Sequence, residues 1–195
     1  DEEIFTLAEL TQTFDLGRVQ KGGAIFNEEK LKWINNQYLR RLSADEVLKL
    51  LQPRIKEKKI SAPPEILKKV VALEKDRLRT LGEFFETAGF FFELSDYDRN
   101  LLKWKSQTLP DAEIVLSKII ERWREVAESD FNQSVLGEHL QSLVEGQSRG
   151  EVFWPIRAAL SGRAASPDPL AIAEVLGKKE TLRRLEEAIQ KIREQ

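Results

Sequence analysis

Three times in its first half the chain places a Ser or Thr three residues ahead of a Glu, next to an apolar run: Thr6-x-x-Glu9, Ser43-x-x-Glu46 and Thr80-x-x-Glu83. In such a pair the hydroxyl accepts from the N3 amide while the N3 carboxylate reaches back, which marks a helix start. The apolar residues that follow recur every three or four positions instead of alternating. The spacing therefore predicts helices through Thr13, from Asn27 over Glu28 to about Arg41, and from Ser43 to a stop at Pro53. Pro63 and Pro64 start the next, with Ile66, Val70, Val71 and Leu73 inward, and Thr80 opens one running into Phe90–Phe92. Beyond a break at Ser95–Asp98, Pro110 sits at the start of a helix carrying Ile114, Ile119, Ile120 and Trp123. Further helices are expected over Gln133–Glu145, over Glu151–Leu160, from Asp168-Pro169 to a stop at Gly177, and over Lys178–Glu194. No alternating pattern exceeds four residues, no internal repeat appears, and heptads are not sustained. An all-α fold is expected.

Composition then removes whole classes of function. At 195 residues the chain can bury a core as one large or two small domains. It has 31 basic and 33 acidic residues with recurrent apolar positions, which argues against disorder, and no stretch approaches eighteen uncharged apolar residues. No membrane partner is expected. The absence of Cys excludes disulfides, thiolate metal sites and Cys nucleophiles, and His139 alone gives no second imidazole for a two-His metal site. The chain starts at Asp1 and contains no Met, so a processed or excised piece of a longer protein is expected. No signal-peptide pattern precedes the first helix. Neither a G-x-x-x-x-G-K-[ST] loop nor a G-x-G-x-x-G after a strand is present, and Lys21-Gly22-Gly23 reads as a turn. Glu125/Glu128 and Glu186/Glu187 lie on charged helix faces with nothing apolar nearby to raise a pKa. No catalytic residue, metal site or cofactor is assigned to this chain.

Charge is uneven along it. Residues 53–79 hold nine cations (Arg54, Lys56, Lys58, Lys59, Lys68, Lys69, Lys75, Arg77, Arg79) against four anions, and Lys178, Lys179, Arg183 and Arg184 cluster near the end. Such runs suit a polyanionic partner through counterion release, or form a solvated, ion-paired helix face.

Two stretches are more specific. One runs Phe5-Thr6-Leu7-Ala8-Glu9-Leu10, Phe14-Asp15-Leu16-Gly17-Arg18-Val19, Ala24-Ile25-Phe26-Asn27-Glu28-Glu29-Lys30-Leu31-Lys32-Trp33-Ile34-Asn35 and Tyr38-Leu39-Arg40. The other runs Val152-Phe153-Trp154-Pro155-Ile156-Arg157 to Gly162, Ser166-Pro167, and Val175-Leu176-Gly177-Lys178-Lys179-Glu180 to Leu185. Together they resemble the carboxy-terminal half of bacterial-type glutamyl-tRNA synthetases, over essentially the whole chain and in the same order. The resemblance implies a stem-contact end at 1–45, a first helical anticodon-binding domain at 46–98 and a second at 99–195, the two forming a cage round a splayed anticodon loop. It implies a catalytic domain upstream, holding ATP and Mg, and a cytoplasmic monomer whose partner is the anticodon loop and stem of tRNA(Glu), not DNA. A free-standing helical RNA-binding or protein-interaction module of the same descent is the alternative.

The resemblance also implies residue roles. Arg157, in Pro155-Ile156-Arg157, aligns with the arginine that approaches the middle anticodon base, and a guanidinium fork can donate two parallel hydrogen bonds. Its bland alternative is a helix-surface arginine. Ser166, Pro167 and Pro169 match the segment at the first base, with Asp168 where many members have Gly. Arg77 aligns with a basic position at the third base, with Lys75 and Arg79 as neighbouring competitors. Lys68, Lys69, Arg163 and Lys178 are backbone-phosphate candidates. Trp33, Trp104, Trp123 and Trp154 are read as core or inter-domain packing.

Overall fold

The computed structural model describes residues 3–19, 22–23 and 25–194. Among these residues the chain is helical throughout and has no strand. It runs α1 (Leu7–Thr13), α2 (Glu28–Arg41), α3 (Ala44–Glu57), α4 (Pro64–Glu74), α5 (Phe84–Ala88), α6 (Leu109–Glu125), α7 (Gln133–Glu138), α8 (Gln141–Val144), α9 (Arg149–Ser161) and α10 (Pro169–Arg193), with short 3-10 turns between. Lys21 and Ala24, part of the expected glycine loop, lie outside the described residues.

The capping boxes at Thr6 and Ser43 form as expected: Glu9 N donates to Thr6 Oγ1 at 3.2 Å, and Glu46 N to Ser43 Oγ at 3.3 Å. Two more, at Thr108 with Asp111 and at Ser148 with Glu151, start α6 and α9. The expected box at Thr80 does not form. Glu83 instead accepts from Arg79 N at 2.9 Å and pairs with its guanidinium at 3.2 Å, leaving Leu81–Glu83 as a 3-10 turn. Pro53 does not close α3, which continues to Glu57; the carbonyl it deprives of a partner belongs to the exposed Lys49. Pro155 likewise stands inside α9, and the carbonyl it frees, that of Glu151, accepts from Gln107 Nε2 at 3.2 Å. The single helix expected over 133–145 is two short ones. Arg122 Nη1 takes the His139 carbonyl at 2.7 Å and Ser142 Oγ at 2.6 Å, drawing that carbonyl out of the helical ladder. At Gly177 the backbone turns to φ 75°, ψ 167°, a region open essentially to glycine, so α10 is two helical stretches meeting there. Thr181 Oγ1 bridges the break by donating to the Ala173 carbonyl at 3.1 Å.

One apolar core runs through the molecule. Val47, Leu51 and Ile55 of α3 meet Leu67, Val70 and Val71 of α4 and Phe84 of α5, while α10 packs on α9, α6 and α7. Trp123 is fully buried, and its indole N–H donates to the Leu136 carbonyl at 3.4 Å. The two halves are joined by Arg184 of α10, which is 2% exposed: its Nη1 donates to the carbonyls of Phe90 (2.8 Å) and Leu160 (2.7 Å), and its Nε to Glu180 (2.7 Å). The connecting segment 93–98 has no regular structure but is anchored by a Lys191–Asp96 ion pair and by Tyr97, which packs against Gly162. α2 is tied on by side-chain amides: Asn36 donates to the carbonyls of Asp76 (3.1 Å) and Leu78 (2.7 Å), and Asn35 to that of Arg79 (2.5 Å). Trp33, expected in packing, is exposed on α2, as are Leu7, Phe14 and Leu16 before it.

Candidate nucleic-acid interface

The end of α9 and the start of α10 are set by local rules. Gly162 takes a left-handed conformation (φ 64°) as the α9 cap, and Asp168 accepts from Leu170 N at 2.9 Å to start α10. Between them the chain loops back under Arg157. Arg157 Nη1 donates to the Ser166 carbonyl (2.5 Å), to Ser166 Oγ (2.9 Å) and to the Pro167 carbonyl (2.9 Å). Partial burial pulls the Arg157 guanidinium below its ordinary pKa; the Asp168 carboxylate opposes this, and the like charge of Arg77 adds to it. Arg77, eighty positions earlier in sequence, therefore stands close enough to feel Arg157. The fold brings Arg157 and the Ser166–Pro167 loop together.

It does not offer every expected residue to solvent. Pro167 and Pro169 are buried, so neither ring faces out, and Pro167 takes part through its carbonyl. Lys75 is held by the Arg40 carbonyl at 3.1 Å and by Asp76 at 2.8 Å. Arg79 is paired with Glu29 and Glu83, each at 3.2 Å. Arg77 pairs with Glu74 at 3.2 Å and keeps 39% of its side chain exposed. Arg163 lies over the Phe90 ring, 5.6 Å from its centroid, and reaches the Thr87 carbonyl at 3.4 Å. Lys68 pairs on the surface with Asp45 at 2.7 Å, and Lys69 is exposed beside α10. Lys178 is engaged elsewhere, since its Nζ donates to the carbonyls of Arg124 (2.7 Å) and Val126 (2.6 Å) and so caps the C-terminal end of α6. Four of the nine cations of the run at 53–79, Lys68, Lys75, Arg77 and Arg79, are thus ion-paired.

Two of the tryptophans expected in packing form a further feature. Trp104 and Trp154 lie with ring centroids 4.8 Å apart and, with Phe153, Gly150 and Arg157, line a cleft of about 460 Å³. Trp154 donates its indole N–H to the Leu101 carbonyl at 2.8 Å, leaving both indoles half-buried instead of lost in the core. Lys105 sits over Trp104 at 5.1 Å, and Arg149 over Phe153 at 4.6 Å. Aromatic faces with a cationic rim stack unpaired bases while lysine and arginine meet the backbone. Trp154 could have been found, because it precedes Arg157 by three positions and so shares its helix face. Trp104 could not. Its place depends on Gly150, where any Cβ would overlap the indole.

An all-helical scaffold that gathers arginines beside a half-open aromatic cleft has the makings of a single-stranded RNA reader. The chain belongs to the anticodon binding domain family, whose model matches residues 28–189. It is 35% identical over 203 residues to the glutamate–tRNA ligase of Moorella thermoacetica and 37% identical over 201 residues to that of Clostridium novyi. Both alignments cover 100% of this chain and 41% of the relative, so the chain spans well under half of these ligases. The crystal structure of a glutamate tRNA ligase from Elizabethkingia meningosepticum, in complex with its amino acid, superposes with a TM-score of 0.82 at 29% identity, covering 97% of this chain and 37% of that one. Among the described residues no three His, Asp or Glu side chains group as a metal site would require. No helix among them is long and apolar enough to cross a membrane.

Proposed function

We propose that this chain is the anticodon-reading part of a glutamate–tRNA ligase, a cytoplasmic monomer that joins glutamate to tRNA(Glu) with ATP and magnesium held in a catalytic domain outside these residues. Its units would be a stem-contact end (1–45) and two anticodon-binding domains (46–98 and 99–195). The observation that carries the reading is Arg157, which clasps the Ser166–Pro167 loop and at the same time lines the Trp104–Trp154 cleft. Arg157 would meet the middle base, the backbone and hydroxyl at Ser166 the first, and Arg77 the third. Base edges supply the choice, and cations such as Lys69 and Lys68 meet phosphates without choosing.

A protein–RNA double-mutant cycle tests it. Arg157→Ala should weaken binding to tRNA(Glu) by about 1–3 kcal/mol, the range for one good base contact. The same change should cost much less when the middle anticodon base is already altered. Lys68→Ala should weaken both RNAs equally. Equal losses from Arg157→Ala on the two RNAs would remove Arg157 as a base reader and leave it as the clasp of the 166–167 loop.

A further inference from the structure

Glu74 closes α4 with a side chain that is 0% exposed. Its Oε2 meets Arg77 Nη1 at 3.2 Å, while its Oε1 is buried with no hydrogen-bond partner among the described residues. Burial raises the carboxyl's pKa, and the charges of Arg77 and then Arg163 oppose that shift. Leaving a buried carboxylate oxygen unpaired is costly, and an apolar side chain at the end of a core helix would avoid the cost. Its neighbours suggest why the residue is tolerated. Arg77 contacts this carboxylate and Arg163 lies near enough to act on it, and each would attract any phosphate. A fixed anion beneath Arg77 holds that guanidinium in one place and offsets part of the local charge.

We propose that Glu74 is a positioning residue for anticodon discrimination: by clamping Arg77 from below and balancing the arginine group, it makes Arg77 read a base edge instead of grasping phosphate. This rests on the reading given under Proposed function. The contact is asymmetric, since the Glu74 side chain is wholly buried and the Arg77 side chain 39% exposed. One end of the pair belongs to the core and the other to the surface, which suits an anchored reader. Arg79 differs: both its carboxylate partners, Glu29 and Glu83, retain exposure, at 71% and 22%.

The test compares Glu74→Gln with the native chain on tRNA(Glu) and on a transcript altered at the third anticodon base. The variant keeps the shape and removes the charge. Binding of the altered transcript should strengthen about 3–10-fold, narrowing the preference for the cognate one. The slope of log affinity against log salt should steepen by about 0.7, as for one further phosphate contact on a single strand. Adding Arg77→Ala should abolish both gains. A Glu74→Gln protein with changed melting temperature but native preference and native salt slope would overturn the proposal and leave Glu74 a packing residue. An independent arm uses the unmodified chain without RNA: the Arg77 Nε–Hε signal should relax as an ordered group, unlike that of Arg54. An Arg77 as mobile as Arg54 overturns the clamp even if the variant does not fold. A native chain that showed no preference among anticodons would sink the reading under Proposed function, and Arg77 order would still decide the clamp.

Discussion

Arg184 and Arg157 are both drawn from water, and they have been given different work. At the junction between the two halves, Arg184 directs its guanidinium to two carbonyls and the Glu180 carboxylate, and almost none of it reaches solvent. On the candidate RNA face, all three hydrogen bonds of Arg157 leave from Nη1, and the same side chain lines the cleft beside Trp154. One arginine has its donors closed inside the protein. The other keeps an edge for a ligand. Each makes three hydrogen bonds and leaves its Nη2 without an acceptor among the described residues. A count of bonds therefore does not separate a structural arginine from a reading one; the exposure that remains does.

The largest test of this contrast is Arg184→Leu. It leaves the buried Phe90 and Leu160 carbonyls without their donor, while Glu180 keeps Arg183, and should cost about 2–5 kcal/mol in urea unfolding. A loss under about 1 kcal/mol would mean the junction does not depend on it. A smaller effect is expected from acid. Hydrogen bonds from Arg183, then Arg184, hold the Glu180 carboxyl down at about 2, below its ordinary value. Its contribution is therefore complete above the ordinary glutamate pKa and is lost as pH falls toward about 2. Glu74 has the opposite sign: its raised pKa makes its ionised form a burden that protonation relieves as pH falls through the folded-state value. Melting temperature against pH should accordingly lose its strong-acid slope in Glu180→Gln and keep it in Glu74→Gln. The smallest change concerns Lys178. As a cap on α6, Lys178→Met should lower stability by about 0.5–1 kcal/mol and leave the salt slope of RNA binding unaltered. A shallower slope would return Lys178 to the phosphate contacts.

How far these assignments are legible in the sequence depends on the range of the interaction that sets them. Helix starts at Thr6, Asn27 and Ser43 are decided within three or four residues, and all three are legible. Thr80 fails for the same local reason, since Arg79 competes for Glu83 from one residue further back. Pro53 misleads, while Pro155 stands inside a helix as expected, because what happens to a helix at proline depends on whether the freed carbonyl finds water or a distant amide. Only the fold supplies Gln107. At the site, Arg157 and Ser166 are nine positions apart, and a family motif covers them. The approach of Arg77, the seat of Trp104 on Gly150 and the unpaired oxygen of Glu74 are properties of tertiary packing. Buried Pro169 shows the converse, a residue in the right segment whose ring faces inward.

The proline inside α9 also has a consequence in time. Helices fray from their ends turn by turn, and amide protons exchange with solvent as they do. At Pro155 the ladder lacks a rung, replaced by the Gln107 side chain, so opening that begins near Arg149 meets a bond that does not belong to the helix. The amides of Val152 and Phe153 should then exchange at a pace set by release of Gln107, and those from Ala158 onward at the slower pace of the core around Leu160. A single helix would keep two clocks, with the tryptophan of the cleft on the faster side and Arg157 beside the slower.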